Sequence, residues 1–98
     1  MVKLHFETTE EFEQLFKTKT LSVTRAIYSG IEEAVTNRKK TANLFQITFE
    51  QAEMMYDISL PYSQWQPALE KCLEHYHKEE LSDEAIDCWK LLEAVKTL

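Results

Sequence analysis

Two cysteines and three histidines are the side chains of this sequence best suited to metal or nucleophilic chemistry, and their spacing decides how far they can go. Cys72 and Cys88 flank a bend expected near Glu80–Leu81, so an antiparallel helix pair would turn them toward each other. Three readings compete. As free thiols they are small apolar core residues, which is the expected role. As a disulfide they need an oxidising compartment, against the cytoplasmic location expected below. As zinc ligands they need His75, which follows Cys72 by three, and a fourth ligand in a chain that lacks the paired C-x-x-C signature. His75 and His77 are two apart and do not share a helical face; protonated rings would suit a helix C-terminus. His5 alternates onto a polar strand face. It would approach Asp57, with Ser59 nearby, if the first strand pairs with the last. That makes a Ser-His-Asp set conceivable, but an open strand face has no pocket, no oxyanion donors and no water exclusion. The expected reading is a solvated face, and no catalytic, cofactor-binding or metal-binding residue is assigned.

The charges lead to the same place. The pairs Glu10-Glu11, Glu32-Glu33, Glu79-Glu80 and Asp83-Glu84 are sequence neighbours, which diverge on a helix and make poor acid–base pairs. Net charge is −6, unevenly spread: residues 1–49 carry six acids and seven bases, residues 50–98 eleven acids and four bases. Direct nucleic-acid binding is not expected from such a surface. The one basic cluster, Arg38-Lys39-Lys40, suits a helix C-terminus, with a phosphate contact as the alternative. A single glycine, Gly30, lies inside a helical stretch, which excludes the glycine-rich loops that cradle phosphates and the sharp turn that presents a nucleophilic serine.

These residues sit on a β-α-α-β-β-α-α sequence of elements. Val2, Leu4 and Phe6 alternate as a strand. Thr8 and Glu11 form a capping box for a helix whose stripe is Phe12, Leu15 and Phe16. A second helix from near Ser22 carries Val23, Ala26, Ile27, Ile31, Ala34 and Val35 on one face, with Gly30 where another backbone would approach closely. Phe45, Ile47 and Phe49, then Met54, Tyr56, Ile58 and Leu60, alternate as a hairpin turning over Glu50-Gln51-Ala52-Glu53; a helical turn over Glu50–Tyr56 is the alternative. Ser63 and Ser82 are expected to cap the last two helices, and Leu81 to staple against Ile86. Trp65, Leu69, Cys72, Leu73 and Tyr76, then Ile86, Trp89, Leu92 and Val95, form their buried stripes. Residues 1–98 therefore read as one α+β domain, a small antiparallel sheet with helices packed on one face and a C-terminal αα-hairpin. No apolar run is long enough to span a membrane or serve as a signal peptide, so a cytoplasmic location is expected.

The stretch Ala42–Tyr76, with Leu44-Phe45-Gln46-Ile47-Thr48-Phe49, Asp57-Ile58-Ser59-Leu60-Pro61, Gln64-Trp65 and Leu69-Glu70-Lys71-Cys72-Leu73-Glu74-His75-Tyr76, resembles small proteins of tailed phages that infect marine cyanobacteria. The resemblance implies a viral source and action in a bacterial host; it brings no site or mechanism. Leu73–Leu98 is similar in layout to the helical-hairpin interaction modules of excision-repair proteins, a likeness shared by any acidic αα-hairpin.

The function expected is non-enzymatic protein–protein interaction, as a regulator or inhibitor of a basic or nucleic-acid-binding host protein. The candidate surface is Tyr62 with the acidic run Glu79, Glu80, Asp83, Glu84 and Asp87. Self-association as a homo-oligomer in an assembly is the alternative, and a small ligand-binding protein or enzyme around His5 and Asp57 stands third.

Overall fold

A computed structural model describes residues 2–18, 20–50 and 52–98; the side chains of Phe16 and of 52–54 lie outside that description. The elements are β1 (Val2–Phe6), α1 (Thr9–Thr18), α2 (Thr20–Thr36), β2 (Thr41–Phe49), β3 (Ala52–Pro61), a 3-10 turn (Tyr62–Gln64), α3 (Trp65–Lys78) and α4 (Ser82–Lys96). This is the expected α+β order. The sheet is mixed rather than wholly antiparallel: its order is β1-β2-β3, with β1 parallel to β2 and β3 antiparallel to it. The cause is the α1–α2 connection, a helical crossover of the kind that returns a chain beside its first strand in the same direction.

Several local features have the expected cause. The Glu11 N–H donates to Thr8 Oγ1 at 3.3 Å while the Glu11 carboxylate accepts from the Glu7 N–H at 3.1 Å, so the box closes one residue further back than the usual form. Gly30 packs α2 onto β2: a Cβ there would meet Leu44 Cδ2 at 2.6 Å and the Asn43 carbonyl oxygen at 3.1 Å. In β2 the register shifts between Asn43 and Phe45, so Leu44 is bulged and both Leu44 and Phe45 are buried. That bulge explains why regular alternation starts at Phe45 and not at Ala42. The hairpin forms, with β2 ending at Phe49 and β3 starting at Ala52, earlier than the expected four-residue turn allows. Gln51, the turn side chains at 52–53, and the expected inward positions of Phe16 and Met54 lie outside the described residues.

Both expected serine caps are absent. The 3-10 turn runs straight into α3, whose N-cap is Gln64; α4 starts from Leu81 with Ser82 as its first helical residue, and neither cap makes a side-chain hydrogen bond. At the α3–α4 bend Glu80 adopts φ 58°, its N–H donating to the His77 carbonyl and that of Leu81 to Tyr76. This Schellman closure uses Leu81 to end α3 and start α4, which leaves Ser82 inside the helix. Among the described residues no helix is long and apolar enough to cross a membrane.

The core lies between the sheet and the helices. Ile31 and Ala34 of α2, Ala42 and Ile47 of β2, Trp65, Leu69 and Tyr76 of α3, and Cys88, Leu92 and Val95 of α4 are all buried in it.

Candidate interaction surfaces

The open sheet face holds the polar residues that the strand alternation predicts, but not in the arrangement chemistry would need. His5 lies opposite Thr48, and its Nδ1 is 2.8 Å from Thr48 Oγ1. Across β2, Thr48 is paired with Met55, whereas Asp57 is opposite Gln46 and accepts from its amide at 3.3 Å. Ser59 pairs with Asn43, one step further along. With β2 between them, His5 and Asp57 are not cross-strand neighbours, so the pairing on which the Ser-His-Asp set depended does not form.

Cys72 and Cys88 are buried free thiols. Cys72 Sγ–H donates to the Thr24 carbonyl at 3.7 Å and Cys88 Sγ–H to the Leu69 carbonyl at 3.4 Å. Burial pushes their thiols up, to about 12 for Cys72 and about 11 for Cys88, away from the thiolate that ligates metals or attacks electrophiles. His75 is engaged elsewhere: its Nδ1 lies 2.7 Å from Thr24 Oγ1, whose own proton goes to the Thr20 carbonyl. The ring therefore donates there and ties α3 to α2, a role its sequence position did not signal. No group of three or more His, Cys, Asp or Glu placed to hold a metal ion occurs among the described residues.

The candidate surface divides in two. Tyr62 precedes α3 and the acidic turn follows it, so they lie at opposite ends of a helix of 14 residues, about 20 Å long. At the turn, Glu84 is held by Arg25 of α2 in a two-pronged pair, Nε to Oε2 at 2.9 Å and Nη2 to Oε1 at 2.7 Å. The guanidinium holds the Glu84 carboxyl below the usual carboxylate range. Glu79 approaches His75 at 3.9 Å, and Glu80 is committed to the left-handed turn. Asp83 and Asp87 remain exposed on α4.

The largest departure from the sequence reading lies on α4. Its buried stripe is Ala85, Cys88, Leu91, Leu92 and Val95, so Trp89 and Ile86 are not core residues. Ile86 is 52% and Trp89 53% exposed. Leu81 packs against the core, so the expected staple onto Ile86 is not what holds the helix start. Ile86 and Trp89, three apart on one face, line a shallow groove of about 300 Å³ with Leu73 and His77 of α3 and Ser82. Helical spacing puts Asp83 and Glu93 at its two ends on α4, with Lys90 beside Ile86. One signal was available: α4 carries more apolar residues than one stripe can bury.

The chain matches no family model, no curated protein and no solved structure.

Proposed function

We propose that the protein is a non-enzymatic protein–protein interaction module that docks through the α3–α4 groove onto a partner with a basic surface. The observation that carries this reading is the exposure of Ile86 and Trp89 on a helix whose other large apolar side chains are buried. Exposed tryptophan beside an aliphatic side chain is the composition of an interface anchor, since each loses apolar area to water until a partner covers it. The carboxylates of Glu79 to Asp87 extend along the same hairpin and favour encounter with positive charge. In the phage setting that the sequence resemblance suggests, the partner is a cytoplasmic host protein that itself handles nucleic acid, and docking regulates or inhibits it.

The test is capture from bacterial host lysate by immobilised wild-type protein and by an Ile86→Ser, Trp89→Ser variant, at low and moderate salt. The reading expects one stoichiometric partner, weakened by salt and reduced about tenfold or more by the variant, as loss of an interface anchor implies. Equal capture by both proteins, or none by either, would overturn it. The same apolar pair also supports a second reading, a homodimer burying the two grooves against each other. Sedimentation over a concentration series would then show a dimer that the variant dissociates.

A further inference from the structure

At the other end of α3 lies a cleft of about 550 Å³ that brings together two features the sequence presents far apart, the Arg38-Lys39-Lys40 cluster and the exposed Tyr62. Val35, Trp65 and Leu98 form its apolar lining, with the three cations and Tyr62 around them. The backbone beneath the cations is fixed. Arg38 takes φ 55° in a Schellman closure of α2, with the Lys39 N–H donating to the Ala34 carbonyl at 2.8 Å and the Arg38 N–H to Val35 at 3.2 Å. The Tyr62 N–H donates to the Lys40 carbonyl at 2.8 Å, which joins the cationic turn to the start of α3. The Tyr62 ring stands edge-on to Trp65 at 5.3 Å, and its hydroxyl donates to the Leu98 main-chain oxygen at 3.2 Å.

Among the described residues no ion pair involves Arg38, Lys39 or Lys40. Against the three positive charges stand about half a unit of negative charge at the C-terminus of α2 and the Leu98 carboxylate on the cleft wall, so positive charge still dominates. The geometry points to a binding site for a small amphipathic anion: a single carboxylate or phosphate head among Arg38, Lys39 and Lys40, with its apolar body against Val35 and the exposed Tyr62 ring, which covers the buried Trp65. The cleft is of the size that takes small ligands, roughly 300–1,000 Å³. A long polyanion is a poorer fit, because a protein of net charge −6 repels every phosphate beyond those the cluster touches. This site is separate from the α3–α4 groove and does not depend on it.

Replacing Trp89 by Phe leaves Trp65, on the cleft wall, as the one indole reporter. Octanoate and octyl phosphate would be titrated into that protein, with 1-octanol and inorganic phosphate as half-ligands. Fluorescence and the Trp65 indole N–H resonance would both be followed. Saturable shifts are expected with the two amphipathic anions, and binding about tenfold or more weaker with either half-ligand, since head and body each contribute. An Arg38→Gln, Lys39→Gln, Lys40→Gln variant is expected to weaken the anions by about tenfold or more while keeping its unfolding midpoint, because the three side chains are exposed. Equal binding of octanol would reduce the cleft to an apolar crevice, and equal binding of phosphate to a surface charge effect. Indifference to the triple variant, absence of saturation, or tighter binding of a single-stranded oligonucleotide would each overturn the assignment.

Discussion

The two tryptophans occupy opposite kinds of surroundings. Trp65 starts α3, is fully buried, and donates its indole N–H to the Leu60 carbonyl at 2.8 Å. It closes the corner where β3 turns into the helical hairpin, so sheet, 3-10 turn and α3 meet on one ring. Trp89 sits in the middle of α4 with half its surface in water. Both fit an apolar stripe at helical spacing, and the stripe alone does not distinguish them. What separates them is the number of layers each helix has around it. α3 packs against both α2 and α4, whereas α4 packs chiefly on α3 with only a slight contact to α2. The difference teaches that an apolar residue on an outermost helix belongs to the core only if it shares a face with the others that do.

Truncation of the two rings is the sharpest way to break this comparison. Trp65→Ala is expected to cost roughly 3–5 kcal/mol of stability, the range for deleting a buried aromatic, and it leaves the Leu60 carbonyl without its donor. Trp89→Ala is expected to cost about 0.5 kcal/mol or less, as exposed substitutions do. Urea unfolding followed by far-UV circular dichroism measures both. Trp65→Phe, which keeps most of the volume, serves if the alanine variant does not fold. Equal losses at the two positions would mean that Trp89 is covered in the folded protein, and the docking reading would lose its basis.

Gly30 extends the comparison to the α2–β2 contact, an interior site with no side chain at all. Gly30→Ala adds about 1 kcal/mol of helix propensity. It also drives a methyl to within 2.6 Å of Leu44 Cδ2 and 3.1 Å of the Asn43 carbonyl oxygen. Leu44 can rotate away, but Asn43 is strand backbone, and overpacking of this kind costs about 1–3 kcal/mol. A net loss of up to about 2 kcal/mol is expected in the same unfolding experiment. A gain would show that the helix stands further from the sheet.

What was legible in the sequence followed from strictly local rules. Thr8 and Glu11 make their box because both partners lie within one turn. Gly30 signals a close approach because glycine costs about 1 kcal/mol in a helix interior relative to alanine, a cost that close packing offsets. The cysteines behave as buried thiols. The errors arose where two distant segments decide the outcome. The partner of β1 was set by its helical crossover and not by its own residues, and with it went the proximity of His5 to Asp57. Ser82 obeys the local capping pattern but is overruled by a Schellman closure that begins at Tyr76. Tyr62, an aromatic that is hard to bury, and the acidic run, suited to a basic partner, make one candidate surface by residue type alone, yet α3 holds them apart. The β2–β3 pairing, with Thr41 opposite Pro61, brings Tyr62 beside Lys40 and so to the Arg38 turn, a contact that helical spacing does not contain.

The smallest effect expected concerns Glu84, the one acid of the turn held by a bidentate partner. Arg25 and Glu84 are 50% and 36% exposed, so solvent screening limits what the pair contributes. Its direction is still fixed. The Arg25 hydrogen bonds hold the Glu84 carboxyl below the usual carboxylate range in the folded protein. A depressed folded value means that the unfolded chain binds the proton more readily, so the contribution is complete above the ordinary glutamate range and fades as pH falls through the folded value. NMR titration of the Glu84 side-chain carboxyl should therefore show a low midpoint in the wild type, moving upward in Arg25→Gln. If Glu84 titrates alike in both proteins, Arg25 does not pin the turn to α2, and the acidic run is as free as the Trp89 face beside it.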